Sequence, residues 1–128
     1  IVDDERDNVE LLGLALADGY EIRFATSGRD ALALVDRQAF DLILLDVMMP
    51  EMDGYEVLAG IRAREGGDQV PVIFVTARGD PDSETRALAA GAVDYIHKPI
   101  NISVLRARVR THIALRQRER AYRELNDQ

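Results

Sequence analysis

The chain has 128 residues, enough for one domain of ordinary size with its own core. Its apolar fraction of 47%, charged fraction of 30% and net charge of −7 are those of a soluble, acidic globular protein. The absence of cysteine excludes disulfides and thiolate metal sites, two histidines are too few for a histidine-rich site, and no apolar stretch approaches the ~20 residues that span a bilayer.

The pattern alternates strand and helix. Ile1-Val2 reads as the end of a strand, and since Ile1 is not an initiator methionine, native residues are expected to precede it. A helix is expected over 7–18, with Asp7 and Glu10 at capping-box spacing and Gly19 as a candidate C-cap. Tyr20–Ala25 is a short strand candidate. Ser27 and Asp30 open a helix over 28–38. Phe40–Asp46 is a near-continuous apolar run, suited to a strand buried on both faces. Asp53 and Glu56 open a helix over 54–64, and Gly66-Gly67-Asp68 is a surface loop. Val70–Thr76 is a second continuous apolar run. Pro81, after Asp80, suits the first turn of a helix over 82–90, which Gly91 would close. Ala92–His97 is the last strand candidate, and Asn101 caps a helix over 102–125. Five strands alternating with five helices imply an α/β fold: a three-layer, doubly wound sandwich around a five-stranded parallel sheet.

Ligands of open α/β sheets bind beyond the carboxyl ends of the strands. The acidic pair Asp3-Asp4, then Asp46, Thr76 and Lys98 fall there. Crowded carboxylates repel one another, and all-oxygen ligation suits a hard cation such as Mg²⁺. Lys98, the only lysine among 16 basic residues, supplies a mobile point charge for an anion. Thr76 can donate a hydrogen bond to the same anion. A cation, an ammonium and a hydroxyl around one carboxylate suit phosphoryl transfer, with Asp46 attacking. Each residue also has a plainer reading. Asp3-Asp4 suits a helix N-cap, Thr76 an ordinary β-branched strand residue and Tyr95 a packed aromatic. His97 reads as a strand-edge residue, and His112 lacks the surroundings of a phosphodonor. Asp53-Gly54, Pro50 and Pro99 read as backbone devices, with a cis bond before Pro99.

Taken together, several segments carry a family resemblance. They are Asp3-Asp4, Leu45-Asp46-Val47-Met48-Met49-Pro50-Glu51-Met52-Asp53-Gly54, Val75-Thr76-Ala77, Gly91-Ala92, Asp94-Tyr95 and Lys98-Pro99. In this order and spacing the chain resembles the CheY-like receiver domain of two-component response regulators, over about residues 1–115. The resemblance implies a flavodoxin-like strand order of 2-1-3-4-5. It implies that Asp46 is the phosphoacceptor and that Asp4 binds Mg²⁺ directly, Asp3 mostly through water and Met48 through its backbone carbonyl. Thr76 and Lys98 would contact the phosphoryl oxygens, and Tyr95 would be the switch aromatic. Met48 and Arg78 occupy places that influence how water reaches the acyl phosphate, and a bulky Met48 is expected to hinder it.

The implied partners are a sensor histidine kinase or histidine phosphotransfer protein, and an output domain beyond Gln128. The implied location is cytoplasmic, with no membrane contact and no direct nucleic-acid binding. The domain would be a phosphoacceptor, catalysing only its own phosphorylation and dephosphorylation. An alternative class is a haloacid-dehalogenase-like, Mg²⁺-dependent phosphohydrolase, which would normally carry a second aspartate where Met48 stands. A flavin-binding relative would not need the acidic cluster.

The end of the chain differs in charge. Residues 106–128 hold 7 arginines and 3 acids, Glu119, Glu124 and Asp127, which reads as the solvated face of a helix. Residues 116–128 are expected to be a helical extension, a linker or a dimerisation helix. Leu115, Tyr122 and Leu125 fall on heptad seam positions, with Arg118 as the polar fourth. They could extend a homodimer formed through the fourth helix, fifth strand and fifth helix.

Overall fold

A computed structural model describes residues 1–77 and 81–126. The expectations attached to Arg78, Asp80, Asp127 and Gln128 lie outside the described residues. In chain order the elements are α1 (Arg6–Leu16), α2 (Gly28–Arg37), β1 (Ile43–Asp46), α3 (Gly54–Ala63), β2 (Val72–Thr76), α4 (Pro81–Ala89), β3 (Asp94–His97) and α5 (Ile102–Asn126).

The two long apolar runs form the strands expected of them. Every residue of β1 and β2 is buried, because helices cover both faces. β1 pairs with β2 and β2 with β3, both parallel. Strand alternation sends Ile43, Leu45, Val72 and Phe74 to one face, where they pack with Val57, Leu58 and Ile61 of α3, Ala31 of α2 and Ala87 of α4. It sends Leu44, Ile73 and Ile96 to the other, against Leu12 and Leu16 of α1 and Leu105 and Val109 of α5. The result is three layers, with the sheet between two helical ones.

Two expected strands are not ladders among the described residues. Val2 makes single parallel bridges to Ala25 and to Leu45, and Tyr20–Phe24 is outside any strand. Strand-like residues need partners as well as pattern. Val2 accepts from the Asp46 N–H and donates to Leu44, while Ile1 and Asp3 reach only Arg23 and Ala25. With one bridge on each side, neither segment builds a repeating ladder.

The helix ends follow the sequence at most sites. Ser27 accepts from the Asp30 N–H at 3.1 Å, Asp53 and Glu56 form a capping box, and Asn101 accepts from the Val104 N–H at 3.1 Å. Gly91, at φ +106°, closes α4: its N–H reaches Leu88 and that of Ala92 reaches Ala87. α1 is the exception. Its N-cap is Glu5, without a side-chain cap, so Asp7 and Glu10 form no capping box. The chain is still extended at Glu5, which places Asp7 inside the first turn. Gly19 is not the C-cap either, since α1 ends at Ala17 in right-handed backbone.

α5 runs 25 residues, and the start of its extension still lies on the body. Arg116 is buried with Nη1 at 3.5 Å from the Gln69 side chain, and Arg120 pairs with Asp41 at 3.2 Å. Leu115, Tyr122 and Leu125 are exposed.

Candidate functional site

The strand order gathers the polar residues at one edge of the sheet. Asp46 ends β1, Thr76 ends β2, and Lys98 follows β3, its N–H donating to the Thr76 carbonyl at 2.8 Å. Asp3 follows the bridged Val2. The Lys98-Pro99 peptide bond is cis, as expected.

The segment after Asp46 folds back over the strand end. The Gly54 N–H donates to the Val47 carbonyl at 2.8 Å. A Cβ on Gly54 would sit 2.5 Å from the Asp46 carbonyl oxygen, so only glycine lets α3 start this close to β1. The Asp53-Gly54 pair is therefore structural support for the site.

Lys98 places its Nζ 3.3 Å from Asp46 Oδ1 and 3.4 Å from Asp3 Oδ2. Both aspartates are buried, whereas Asp4 is exposed at the mouth. Asp3 Oδ1 accepts from the Glu5 N–H at 2.9 Å in a turn just before α1, so neither aspartate of the pair is the helix N-cap. Asp3 Oδ2 has no hydrogen-bond donor, only the ammonium beside it. Burial and the negative charge of Asp3 push the Asp46 carboxyl up to about 6, against the pull of Lys98. Burial opposes the charge of Lys98, but Asp46 and Asp3 outweigh it and raise that group.

One carboxylate oxygen from each of Asp3, Asp4 and Asp46 lies within 4.8 Å of the others. Three hard oxygen donors, one of them buried without a donor, fit a small divalent cation such as Mg²⁺. Met48, two residues beyond Asp46, is 75% exposed.

Thr76 is buried, with Oγ1 3.3 Å from His97 Nδ1. Tyr95 is half-buried, and the Glu84 carboxylate near its hydroxyl raises the phenol above its usual range. His97 also pairs with Glu84 through Nε2, so it is an inward partner and not a bare strand edge. Sequence reading missed this, and likewise a cluster behind the site. Asp94 accepts from Arg108 at 2.9 Å and faces His112 Nε2 at 3.0 Å.

A parallel α/β sheet with an acidic pocket and one lysine at its carboxyl edge defines a class, and comparison with known proteins names it. Residues 1–110 match the response regulator receiver domain, and the chain belongs to that family. A Vibrio cholerae protein named "Probable cyclic di-GMP phosphodiesterase" is 43% identical over 88% of this chain and 26% of its own length. The Escherichia coli transcriptional regulatory protein PcoR is 38% identical over 87% of this chain and 49% of its own. The signal receiver domain of a Syntrophus aciditrophicus signal transduction histidine kinase has a TM-score of 0.80 and 34% identity, covering 88% of this chain and 86% of that one. The chain spans about a quarter to a half of the length of these curated relatives. It is a receiver domain of two-component signalling, and the phosphohydrolase alternative finds no support. Among the described residues no helix is long and apolar enough to cross a membrane.

The raised Asp46 has a consequence for stability. Without metal, the folded chain keeps this proton up to about pH 6, while the ordinary value is 3.8. The folded state binds more protons between those values, so the Asp46 contribution destabilises it as pH rises from about 4 to 6, and stays unfavourable above. Asp46→Asn removes this penalty. It is expected to stabilise the metal-free chain at neutral pH, on the order of 1–3 kcal/mol, and not at pH ~3.5. Chemical denaturation at both pH values checks this, and equal stabilities at neutral pH contradict it.

Proposed function

We propose that the chain is a phosphorylation-controlled switch and that Asp46 is its phosphoacceptor. The observation that carries this is Asp46 itself, a buried carboxylate at the strand end, 3.3 Å from the single lysine and grouped with Asp3 and Asp4. The donor is a phosphohistidine on a sensor histidine kinase or a histidine phosphotransfer protein. An Asp46 oxygen attacks phosphorus, the phosphorus–nitrogen bond breaks, and the imidazole leaves. Asp3, Asp4, Asp46 and the Met48 carbonyl would hold Mg²⁺, which when bound neutralises charge on the phosphoryl oxygens. Lys98 binds one of those oxygens through its ammonium. Thr76 turns its hydroxyl toward another, and Tyr95 follows as the switch aromatic. The domain acts on its own carboxylate and on no separate substrate.

The finer architecture follows the same reading. The two bridges of Val2, to Ala25 and to Leu45, support a five-strand order of 2-1-3-4-5. Residues 1–115 form the receiver, and 116–128 link it to an output domain after Gln128, as the greater length of the relatives supports. The location is cytoplasmic, beside a kinase's ATP supply, and the domain itself binds no nucleic acid. Two copies pair through α4, β3 and α5, with Leu115, Tyr122 and Leu125 extending the seam. A monomer at every concentration in sedimentation, with and without beryllofluoride, would remove the dimer from this reading.

Acetyl phosphate with Mg²⁺ is expected to add one phosphoryl group, detected by intact mass. Asp46→Asn should take none, and Lys98→Ala should label at least ~10²-fold more slowly. Met48→Asn should lose the group faster than the parent, by admitting water. Full labelling of Asp46→Asn overturns the assignment.

A further inference from the structure

Parallel register sets residues of neighbouring strands side by side on one face. Phe74 lies beside Tyr95 and Thr76 beside His97, and α4 covers that face. His97 bridges two elements there. Its Nδ1 is 3.3 Å from the buried Thr76 hydroxyl, and its Nε2 is paired with Glu84 of α4. Tyr95 lies near the same carboxylate and meets the His97 ring edge-on, with centroids 5.4 Å apart. Thr76, His97 and Glu84 form one continuous hydrogen-bonded chain from the phosphorylation edge to α4, with Tyr95 packed beside it.

We propose that His97 is a positioning residue for Thr76, one that sets which way the threonine hydroxyl proton points. The proposal rests on Thr76 contacting the phosphoryl group, as read above. A carboxylate only accepts, so Glu84 requires a proton on Nε2. In the neutral ring Nδ1 is then an acceptor, and the Thr76 hydroxyl must donate to it. That proton is spent on His97 and is not offered to an anion on Asp46. In the imidazolium Nδ1 carries a proton as well. It donates to Thr76 Oγ1, and the hydroxyl proton is free to turn to a phosphoryl oxygen. Ring protonation therefore favours the phosphorylated arrangement, and phosphorylation in turn pulls on Glu84 and α4. The groups around the ring are Glu84 from α4, Thr76 from β2, and Tyr95 and Lys98 on its own segment.

The test is beryllofluoride affinity with Mg²⁺ at pH ~6 and ~8, the range in which imidazoles titrate. In the parent chain affinity should fall about fivefold more than in His97→Gln, equivalent to ~1 kcal/mol. Gln offers an amide to Glu84 but nothing to Thr76, so its profile lacks the histidine step. His97→Asn, with an amide at the Nδ1 position, should keep the tighter binding at both pH values. Equal pH ratios in the parent and His97→Gln overturn the proposal. If beryllofluoride binds the parent at neither pH, the phosphoacceptor reading fails, and the link is read from ¹⁵N spectra of the imidazole instead. These should show an Nε2-protonated ring whose Nδ1 signal moves on Thr76→Val. An Nδ1-protonated ring, or no movement, overturns the link.

Discussion

Two buried carboxylates face one ammonium. Asp46 and Asp3 both lie within 3.4 Å of Lys98, and a single positive charge cannot satisfy the pair. The protein keeps the arrangement although it costs stability, and the cost appears as a reluctant ionisation of Asp46. An incoming cation or phosphoryl group changes that balance at once. A site already short of positive charge responds to a cation more strongly than a neutral one would. Exposed Asp4 adds a third oxygen where solvent can deliver the ion.

The rest of the fold holds that unfavourable geometry in place. Buried strands fix the end of β1, and Gly54 allows α3 to close over it. Apolar layers on both faces leave the polar groups only the sheet edge. From that edge the hydrogen-bonded chain through His97 and Glu84 leads outward to α4, and Asp94, Arg108 and His112 tie β3 to α5. That chain begins at Thr76, on the same strand-end edge as Asp46, and ends on the helical surface that would carry the signal.

Most of the site was legible because its residues stand next to strand ends that the apolar runs mark out. Asp46 and Thr76 each close such a run, and Lys98 comes just after the last strand candidate. What the sequence concealed depends on pairing between distant segments. Tyr20–Ala25 has strand-like residues, but only Ala25 finds a bridge. In the acidic run after Val2 several residues have capping chemistry, and only the backbone shows that Asp3 bonds the Glu5 N–H and Asp7 sits within the helix. His97 looked like an edge residue because its partners, Thr76 and Glu84, lie 21 and 13 residues away. The resemblance to receiver domains supplied roles for Met48 and Tyr95 that no local pattern contains.

Carboxyl ¹³C chemical shifts across a pH titration measure the frustrated charge at Asp46 directly. The metal-free chain should show an Asp46 midpoint of about 6, and saturating Mg²⁺ should move it below the ordinary 3.8. A midpoint near 3.8 without metal, unmoved by Mg²⁺, would contradict the account.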